Sequence, residues 1–410
     1  MNFKKFKRKI AAVLGISLLT LSLAGCGEEI LLTPVTSAEY SGYTVSDTAA
    51  VTFDQFELSL EEEGEGDNIE SSLVIKNNSD KEINNFGVTG LDEFGRASDY
   101  SVTEPIAPGG EARVTKSMHI ADSVDDMNIY MTSYTADDER IKYDHNLNKY
   151  IIEDKDGESE VERELVERKE VEGLDEFKDK FPEMTFEKAE DDENIIMATA
   201  KNNTKTPMTE ISAMNSDSNT TLFRTGYALL PGEERTIAMK NFGKDEPDFD
   251  ITDISAEYLN MNATRTLEAY GSSAFTEEQG KTFLTTSTIL NPVTASAELL
   301  LTEEFVESIK NLKVNLREED SYMIAEVENT LDKEIAGIEI YFADKGDKDF
   351  GAAASSNGGI PAGETSKPFA VLDISSPENA EVKKIIVDVV NDEGKIYSIE
   401  YDYNIEDFLK

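Results

Sequence analysis

Three copies of one strand-and-turn pattern run through this chain, and that internal repetition constrains its fold more than any other feature. The marker of each copy is an apolar strand that ends in asparagine followed by serine or threonine. It occurs at residues 73–79, 196–204 and 324–330. If Asn78, Asn203 and Asn329 are taken as equivalent, the copies are 125 and 126 residues apart. A period of this length predicts similar domains in tandem.

Other signals keep the same order in each copy. Alternating apolar residues ahead of the marker predict a strand at Phe56, Leu58 and Leu60, at Met184 and Phe186, and at Leu312, Val314 and Leu316. A turn follows about 30 residues after the marker, at Pro108-Gly109, Pro231-Gly232 and Pro361-Ala362-Gly363. Each copy closes with apolar-rich strands, and in the last copy Asn391-Asp392-Glu393-Gly394 indicates a hairpin turn.

Short strands at regular spacing, separated by turn residues, are typical of an antiparallel β-sandwich of immunoglobulin-like size. We therefore predict an all-β protein with three tandem immunoglobulin-like sandwiches joined by short helical spacers. The asparagines and their Ser or Thr neighbours are expected to bond nearby backbone and to close the turn where a strand leaves its sheet. Contact with a ligand is the alternative role.

Two stretches between the copies favour helix. Residues 158–180 are dense in charge, with apolar residues at near-helical spacing, and Glu164 lies four residues before Arg168, the separation of a helical ion pair. Residues 296–310 form a comparable stretch before the third copy. Such a helix either packs on the end of the next sandwich or sets the angle between domains.

The N-terminus has the pattern of an export signal. Residues 1–9 are basic, and residues 10–23 form an apolar run of 14 residues. That run is too short to cross a hydrocarbon core of about 30 Å as a helix, which takes about 20 residues, but it has the length of a signal-peptide core. Leu23-Ala24-Gly25-Cys26 follows, and it resembles the lipobox of bacterial lipoproteins.

The resemblance implies cleavage before Cys26 and attachment of a diacylglyceryl lipid to its thiol. Small residues at Ala24 and Gly25 suit entry into a protease cleft, and Cys26 is the only cysteine of the chain. Two acyl chains, at about 0.8 kcal/mol per buried CH₂, make a durable anchor. The expected location is extracytoplasmic, on the cell membrane of a Gram-positive type of envelope. An ordinary secretory signal with an incidental cysteine is the alternative.

These signals divide the chain into seven predicted segments. They are a signal peptide at 1–25, a lipidated tether at 26–50, a first sandwich at 51–152, a helical spacer at 153–182, a second sandwich at 183–272, a linker with a helix at 273–310 and a third sandwich at 311–410. The tether is assigned from its content of Ser, Thr, Ala and Gly.

The third copy also resembles the FxLYD-type β-sandwich domains of secreted bacterial proteins. The matching residues are Asn329-Thr330, Ile340-Tyr341-Phe342-Ala343-Asp344 and Pro361-Ala362-Gly363-Glu364. The pentapeptide departs from the family pattern, and Gly346 comes two residues after Asp344. The first copy keeps Asp92-Glu93-Phe94-Gly95, whereas the second has Asn215-Ser216-Asp217-Ser218 there. This resemblance implies an architecture and no catalytic residue.

The charge of the chain excludes one class of partner. Its net charge is −45, and because the first 25 residues hold five of the 39 basic residues and no acid, the remainder carries −50. Such a chain is repelled by phosphates, so nucleic-acid binding is not expected. Anionic lipid headgroups repel it as well, so the predicted attachment to a membrane depends on the lipid at Cys26.

Residues that could perform catalysis are scarce. The two histidines are His119 and His145, and neither lies beside a nucleophile elbow or within a zinc-ligand spacing. No phosphate loop or dinucleotide fingerprint occurs. No catalytic residue, no metal and no cofactor besides the covalent lipid are predicted, and we expect that the protein is not an enzyme.

Calcium is the one metal for which the chain offers a candidate. Asp344, Asp347 and Asp349 place three carboxylates within six residues. The stretch lacks the closing bidentate glutamate of an EF-hand loop and contains two lysines. A solvated turn is the preferred interpretation.

The predicted function is therefore a lipid-anchored cell-surface protein that serves in binding, in adhesion or as an accessory of an envelope complex. Its partners would be the membrane, through the lipid, and a protein or surface ligand. One alternative is an extracytoplasmic sensor for a solute or Ca²⁺, which needs an aromatic-lined concave pocket. A second is a surface hydrolase, which needs convergent Ser, His and Asp or two carboxylates in a cleft.

The lipobox gives a direct prediction. Cys26→Ala removes the only thiol that can accept the lipid, so acyl labelling should disappear and the protein should be released or mislocalised. Labelling with an acyl-chain probe, followed by fractionation of cells, measures both effects. Labelling at the level of the unsubstituted protein would refute the prediction.

Overall fold

The computed structural model describes residues 39–64, 69–92, 95–154, 162–171, 182–192, 194–205, 207–215, 220–240, 253–260, 263–270, 282–290, 303–346, 348–356 and 358–408. Nearly all of their regular structure is antiparallel β. The first copy contains β1 (Glu39–Ser46), β2 (Phe56–Glu63), β3 (Glu70–Asn77), β4 (Asn84–Leu91), β5 (Ala97–Val102), β6 (Glu111–Lys116), β7 (Ile129–Ala136), β8 (Glu139–Asp144) and β9 (Lys149–Glu153).

The second copy contains β10 (Glu162–Val171), β11 (Glu183–Lys188), β12 (Ile195–Lys201), β13 (Met208–Asn215), β14 (Thr220–Arg224), β15 (Glu234–Lys240), β16 (Asp253–Asn260), β17 (Ala263–Tyr270) and β18 (Thr282–Leu290). The third contains α1 (Glu303–Lys310), β19 (Lys313–Glu319), β20 (Tyr322–Glu328), β21 (Ile335–Asp344), β22 (Ala353–Ser355), β23 (Phe369–Val371), β24 (Ala380–Val390), β25 (Lys395–Asp402) and β26 (Asp407–Phe408). Short 3₁₀ turns lie at Phe53–Gln55 and Asp125–Met127.

Each copy is a sandwich of a three-stranded sheet and a larger sheet. The small sheets are β2-β3-β6, β11-β12-β15 and β19-β20-β23. The large sheets contain the runs β5-β4-β7-β8, β14-β13-β16-β17 and β22-β21-β24-β25. The same strand order therefore recurs three times, and the predicted all-β sandwich class is confirmed.

Alternate residues of the facing sheets fill a separate core in each copy, as the period of a strand requires. In the first copy, Phe56 of β2 meets Phe86 of β4 and Tyr134 of β7 edge to face, with both pairs of ring centroids 4.9 Å apart. The second core centres on Phe223 and Ile211, both fully buried.

The third core receives α1. Phe305 and Ile309 of this helix are buried among the strands of the third sandwich, and the Tyr403 hydroxyl donates to the Ile309 carbonyl oxygen at 3.4 Å. A helix was predicted at residues 296–310, and its described part, Glu303–Lys310, is helical. Of the two roles considered, packing on the next sandwich is the one observed.

Strand β1 joins the first and third sandwiches into one sheet. Its residues pair with β25 on one side and with β9 on the other, giving the order β22-β21-β24-β25-β1-β9-β8-β7-β4-β5. A small apolar cluster of Ile151, Val390 and Ile396 lies at this junction. Glycine at position 394 allows the two chain segments to approach closely at this junction, since a Cβ there would lie 2.6 Å from the Val45 carbonyl oxygen.

The predicted tether thus contains an element that was missed. Residues 39–46 were assigned to a Ser- and Gly-containing linker, but they form a central strand. The physical reason is that β9 and β25 each present an edge of unpaired N–H and C=O groups, and any intervening extended segment that pairs with both removes two exposed edges. Local composition carries no information about those distant edges.

The predicted helical spacer is wrong within the described residues. Glu162–Val171 forms β10, which pairs antiparallel with β18, and residues 155–161 and 172–181 lie outside the described part. Helix propensity is a weak local preference that cross-strand pairing can override. The separation of Glu164 and Arg168 therefore loses its helical meaning, because backbone positions four apart on a strand are about 13 Å apart.

The asparagine that ends the second strand of each small sheet is Asn77, Asn202 or Asn329, and all three are fully buried. Each side-chain amide donates to a carbonyl in the turn ahead of the last strand of the small sheet (β6, β15 or β23): Ile106, Leu229 and Ile360, each at 2.9 Å. Each amide oxygen accepts the N–H of the residue two positions later, at 2.9 to 3.0 Å. We call this arrangement the asparagine clasp.

The clasp corrects the alignment of the copies. The equivalent residues are Asn77, Asn202 and Asn329, so the spacings are 125 and 127, and Asn78 and Asn203 are exposed neighbours. Adjacent asparagines look alike in sequence, and burial alone separates them. The clasp also confirms the turn-closing role predicted for these residues. The Asn backbone carbonyl accepts the N–H of Gly109, Gly232 or Gly363, whose φ values of 71°, 81° and 73° favour glycine.

Asn77→Ala should lower the free energy of unfolding by about 2 to 3 kcal/mol, because buried carbonyl and N–H groups lose their partner. Asn78→Ala is the matched control, since its side chain is exposed, and it should change stability by less than about 0.5 kcal/mol. Urea unfolding followed by circular dichroism measures both. Equal effects of the two substitutions would show that the clasp does not stabilise the sandwich.

Candidate functional site

The predicted lipidation site lies outside the described residues. This applies to Cys26 and to Leu23, Ala24 and Gly25. Among the described residues, no helix is long and apolar enough to cross a bilayer.

The calcium candidate is only partly described, because Asp347 lies outside the described residues. Asp344 is buried, and its carboxylate accepts the Ser375 N–H at 2.6 Å, the Ser375 hydroxyl at 2.9 Å and the Gly346 N–H at 2.8 Å. The Asp349 carboxylate accepts the Gly351 N–H at 2.8 Å. These carboxylates order the loop after β21, whereas a solvated turn was the preferred interpretation.

A cleft of about 500 Å³ lies beside this loop, between the second and third sandwiches. Its lining includes Asp191, Lys348, Phe350 and Asp373. Lys348 forms an ion pair with Asp191 at 2.6 Å, and Lys240 forms another with Asp373, so both pairs link the two sandwiches. In the described part of the chain no group of three or more His, Cys, Asp or Glu side chains could hold a metal ion.

The two histidines lie in different surroundings. His119 is an exposed residue whose Nδ1 lies 2.7 Å from the Glu62 carboxylate, and this hydrogen bond raises the pKa of His119. His145 packs edge to face against Phe53 and Tyr143, with centroids 4.7 and 4.8 Å away. Burial lowers the pKa of His145 to about 4, so this side chain is neutral at pH 7.

The contacts between sandwiches depend on two buried aspartates that sequence reasoning did not single out. Asp402, at the end of β25, is fully buried. One carboxylate oxygen accepts the N–H groups of Asn404 and Ile405 in its own turn, at 2.7 and 3.3 Å. The other accepts the N–H of Ala228 in the second sandwich at 2.6 Å. A single carboxylate thus closes a turn and holds a neighbouring sandwich.

Asp144, at the end of β8, makes the same contacts between the first and third sandwiches. One oxygen accepts the N–H groups of Asn146 and Leu147 at 2.9 and 3.0 Å. The other accepts the N–H of Gly359 in the third sandwich at 2.6 Å. Gly359 is required there, because a Cβ at this residue would lie 2.4 Å from the Leu147 side chain.

A backbone hydrogen bond forms the second point of contact at each interface. The Ala370 N–H of β23 donates to the Gly95 carbonyl of the first sandwich at 3.1 Å, and the Ala238 N–H of β15 donates to the Asp349 carbonyl of the third at 2.7 Å. In both cases the last strand of a small sheet, β23 or β15, donates to the loop after β4 or β21 of the adjoining sandwich. We call each set of contacts a carboxylate joint.

Electrostatics at the joints reflects their burial. Burial raises the pKa of Asp144 and Asp402 above the ordinary Asp value, and the backbone N–H donors oppose part of this increase. Lys384 also opposes it at Asp402. Lys384 itself lies 2.9 Å from Glu400, with both side chains about one-tenth exposed. Losing one member of such a network leaves a buried group without its partner.

A repeated five-residue pattern is the signal that could have revealed the joints. Tyr143-Asp144-His145-Asn146-Leu147 and Tyr401-Asp402-Tyr403-Asn404-Ile405 share their Tyr-Asp-x-Asn-aliphatic order. The residues that receive each carboxylate, Gly359 and Ala228, have no comparable pattern, because they contribute only backbone groups to the joint.

Comparison with known proteins adds no family assignment: no protein-family model matches the chain, and no curated protein matches it. The lipoprotein and FxLYD resemblances therefore stay expectations from the sequence. What the described residues define is a class of structure, an array of three β-sandwiches held together by carboxylate joints.

Asp402→Ala should loosen the joint between the second and third sandwiches, because it leaves the N–H groups of Ala228 and Asn404 without acceptors. We expect a loss of about 2 kcal/mol or more in unfolding free energy and faster hydrogen exchange at Ala228. Glu406→Ala, an exposed acid in the same turn, is the control and should change neither. Unaltered exchange at Ala228 in the Asp402 variant would contradict the assignment.

Proposed function

We propose that the protein is a lipid-anchored, non-catalytic binding protein of the cell surface whose three sandwiches act as one rigid body. The observation that carries this proposal is β1, which lies within the predicted tether and pairs on both sides with strands of different sandwiches. An anchor at Cys26 would therefore connect to an inner strand of an 11-stranded sheet.

A rigid body suits presentation of a binding surface at a membrane. Tandem domains with small polar contacts normally move relative to each other. Here the first and third sandwiches share a sheet, and the second is attached through Asp402 and two ion pairs. Rigid attachment lowers the entropy lost when a surface-bound protein engages a partner.

The sensor alternative would place its ligand in the cleft between the second and third sandwiches. Lys348 and Asp191, which line that cleft, are paired with each other, and Asp344 accepts one hydrogen bond from Gly346 and two from Ser375. These groups have partners already, so their arrangement supports a structural seam more than a solute site.

Photo-crosslinking on living cells tests the proposal. Met118 in the first sandwich and Leu372 in the third are large apolar residues that are 61% and 63% exposed, so a crosslinking amino acid there samples two sandwiches. The exposed Asp138 serves as the control position. We expect one protein or surface polymer to be captured from Met118 or Leu372 and lost when Cys26→Ala releases the chain. Capture of nothing above the Asp138 background would contradict a binding role.

A further inference from the structure

The two carboxylate joints are the same interface used twice. Strand register shows it: Asp144 pairs with Met131 of β7, and Asp402 pairs with Lys384 of β24, at equivalent positions of equivalent hairpins. On the receiving side, Gly359 and Ala228 each precede the residue whose carbonyl accepts the asparagine clasp. The backbone hydrogen bonds donated by Ala370 and Ala238 match as well. Ala370 pairs with Ile324 and Ala238 pairs with Met197, and these two partners precede their clasp asparagines by the same number of residues.

Each sandwich therefore has a docking end and a receiving end. The docking end is the turn after the last hairpin strand, with its aspartate. The receiving end is the residue before the clasp acceptor, together with the last strand of the small sheet, which is β6, β15 or β23. The first sandwich docks on the third and the third docks on the second. Two different surfaces meet at each joint, and repetition of such a head-to-tail contact between molecules gives a closed ring or an open filament.

The receiving end of the first sandwich is unoccupied by any described residue of the chain and differs at the positions that matter. The residue before its clasp acceptor, Ile106, is Pro105, which has no N–H to offer a carboxylate. Register places Thr115 where the other receiving ends have alanine, and its hydroxyl lies 2.8 Å from that of Ser72. Both Pro105 and Thr115 are exposed.

The docking end of the second sandwich lacks the aspartate that the other two docking ends have at this register position. Ile254 of β16 is equivalent to Thr132 and Ile385, and the register of the hairpin then places Tyr270 where the other two copies have aspartate. A neutral phenol on a longer side chain cannot replace a carboxylate that accepts N–H groups from two directions. Among the described residues, a joint position is thus replaced at each end of the array, by Pro105 at one end and by Tyr270 at the other.

We propose that Pro105 and Tyr270 are caps that stop head-to-tail self-association of this protein through its own interdomain interface. Repeat proteins need such modified ends to stay soluble, because a repeated interface is otherwise complementary to itself. This inference concerns a second copy of the same chain as the excluded partner, and it does not depend on the proposed binding function.

The test restores each end separately in the full chain, purified in a nonionic detergent. Pro105→Gly with Thr115→Ala restores the receiving end, and Tyr270→Asp restores the docking end. Light scattering after size exclusion, over a hundredfold range of concentration, gives the mass. We expect a monomer for the unsubstituted chain and for each variant alone, a twofold mass for the two variants mixed, and larger oligomers that grow with concentration when all three substitutions share one chain.

Tyr270→Phe, combined with the restored receiving end, is the matched control and should remain monomeric. Circular dichroism and melting temperature establish that each variant is folded, and Pro105→Ala replaces Pro105→Gly if the glycine unfolds the turn. A mixture of folded variants that stays monomeric at every concentration would overturn the proposal. Oligomers in the Tyr270→Phe control would also overturn it, because they would show that association does not require a carboxylate at position 270.

Discussion

Packing three sandwiches together cuts backbone N–H and C=O groups off from water, and the structure depends on giving each such group a partner. One buried asparagine does this within every sandwich, and one buried aspartate does it at each joint. Both side chains are short, so they reach backbone close to their own strand and hold it in one geometry. Asn329 and Asp402 of the third copy show the division: the first closes a sandwich and the second connects two.

The acidic composition makes these specific contacts more important. Sandwiches of like charge repel each other, and the chain has only 39 basic residues against 84 acids. Two lysines are placed across the seam between the second and third sandwiches, where Lys348 meets Asp191 and Lys240 meets Asp373. Exposed pairs of this kind contribute about 0 to 1 kcal/mol each, so they offset repulsion, while the carboxylate joints and the shared sheet set the geometry.

Particular residues show how far sequence reasoning reaches here. The strand alternation around Phe56 and the turn at Pro231-Gly232 were predictable, because period and turn chemistry are local. The choice between Asn77 and Asn78 was not, since it depends on which of the two is buried. The helix expected near Glu164 failed because β18, more than a hundred residues later, supplies a pairing edge. The joints were missed because half of each is an ordinary backbone N–H.

The sequence by itself determined that there are three copies, that they are antiparallel β-sandwiches, and where their turns fall, since each of these follows from residues near one another in the chain. Only the tertiary structure decided that the sandwiches adjoin in the order first, third, second, that the stretch after the predicted anchor site becomes β1, and that Asp144 and Asp402 join them. Those outcomes depend on which strand edges and backbone N–H groups remain unpaired after each sandwich has formed. That set of unpaired groups is defined only once the chain has folded.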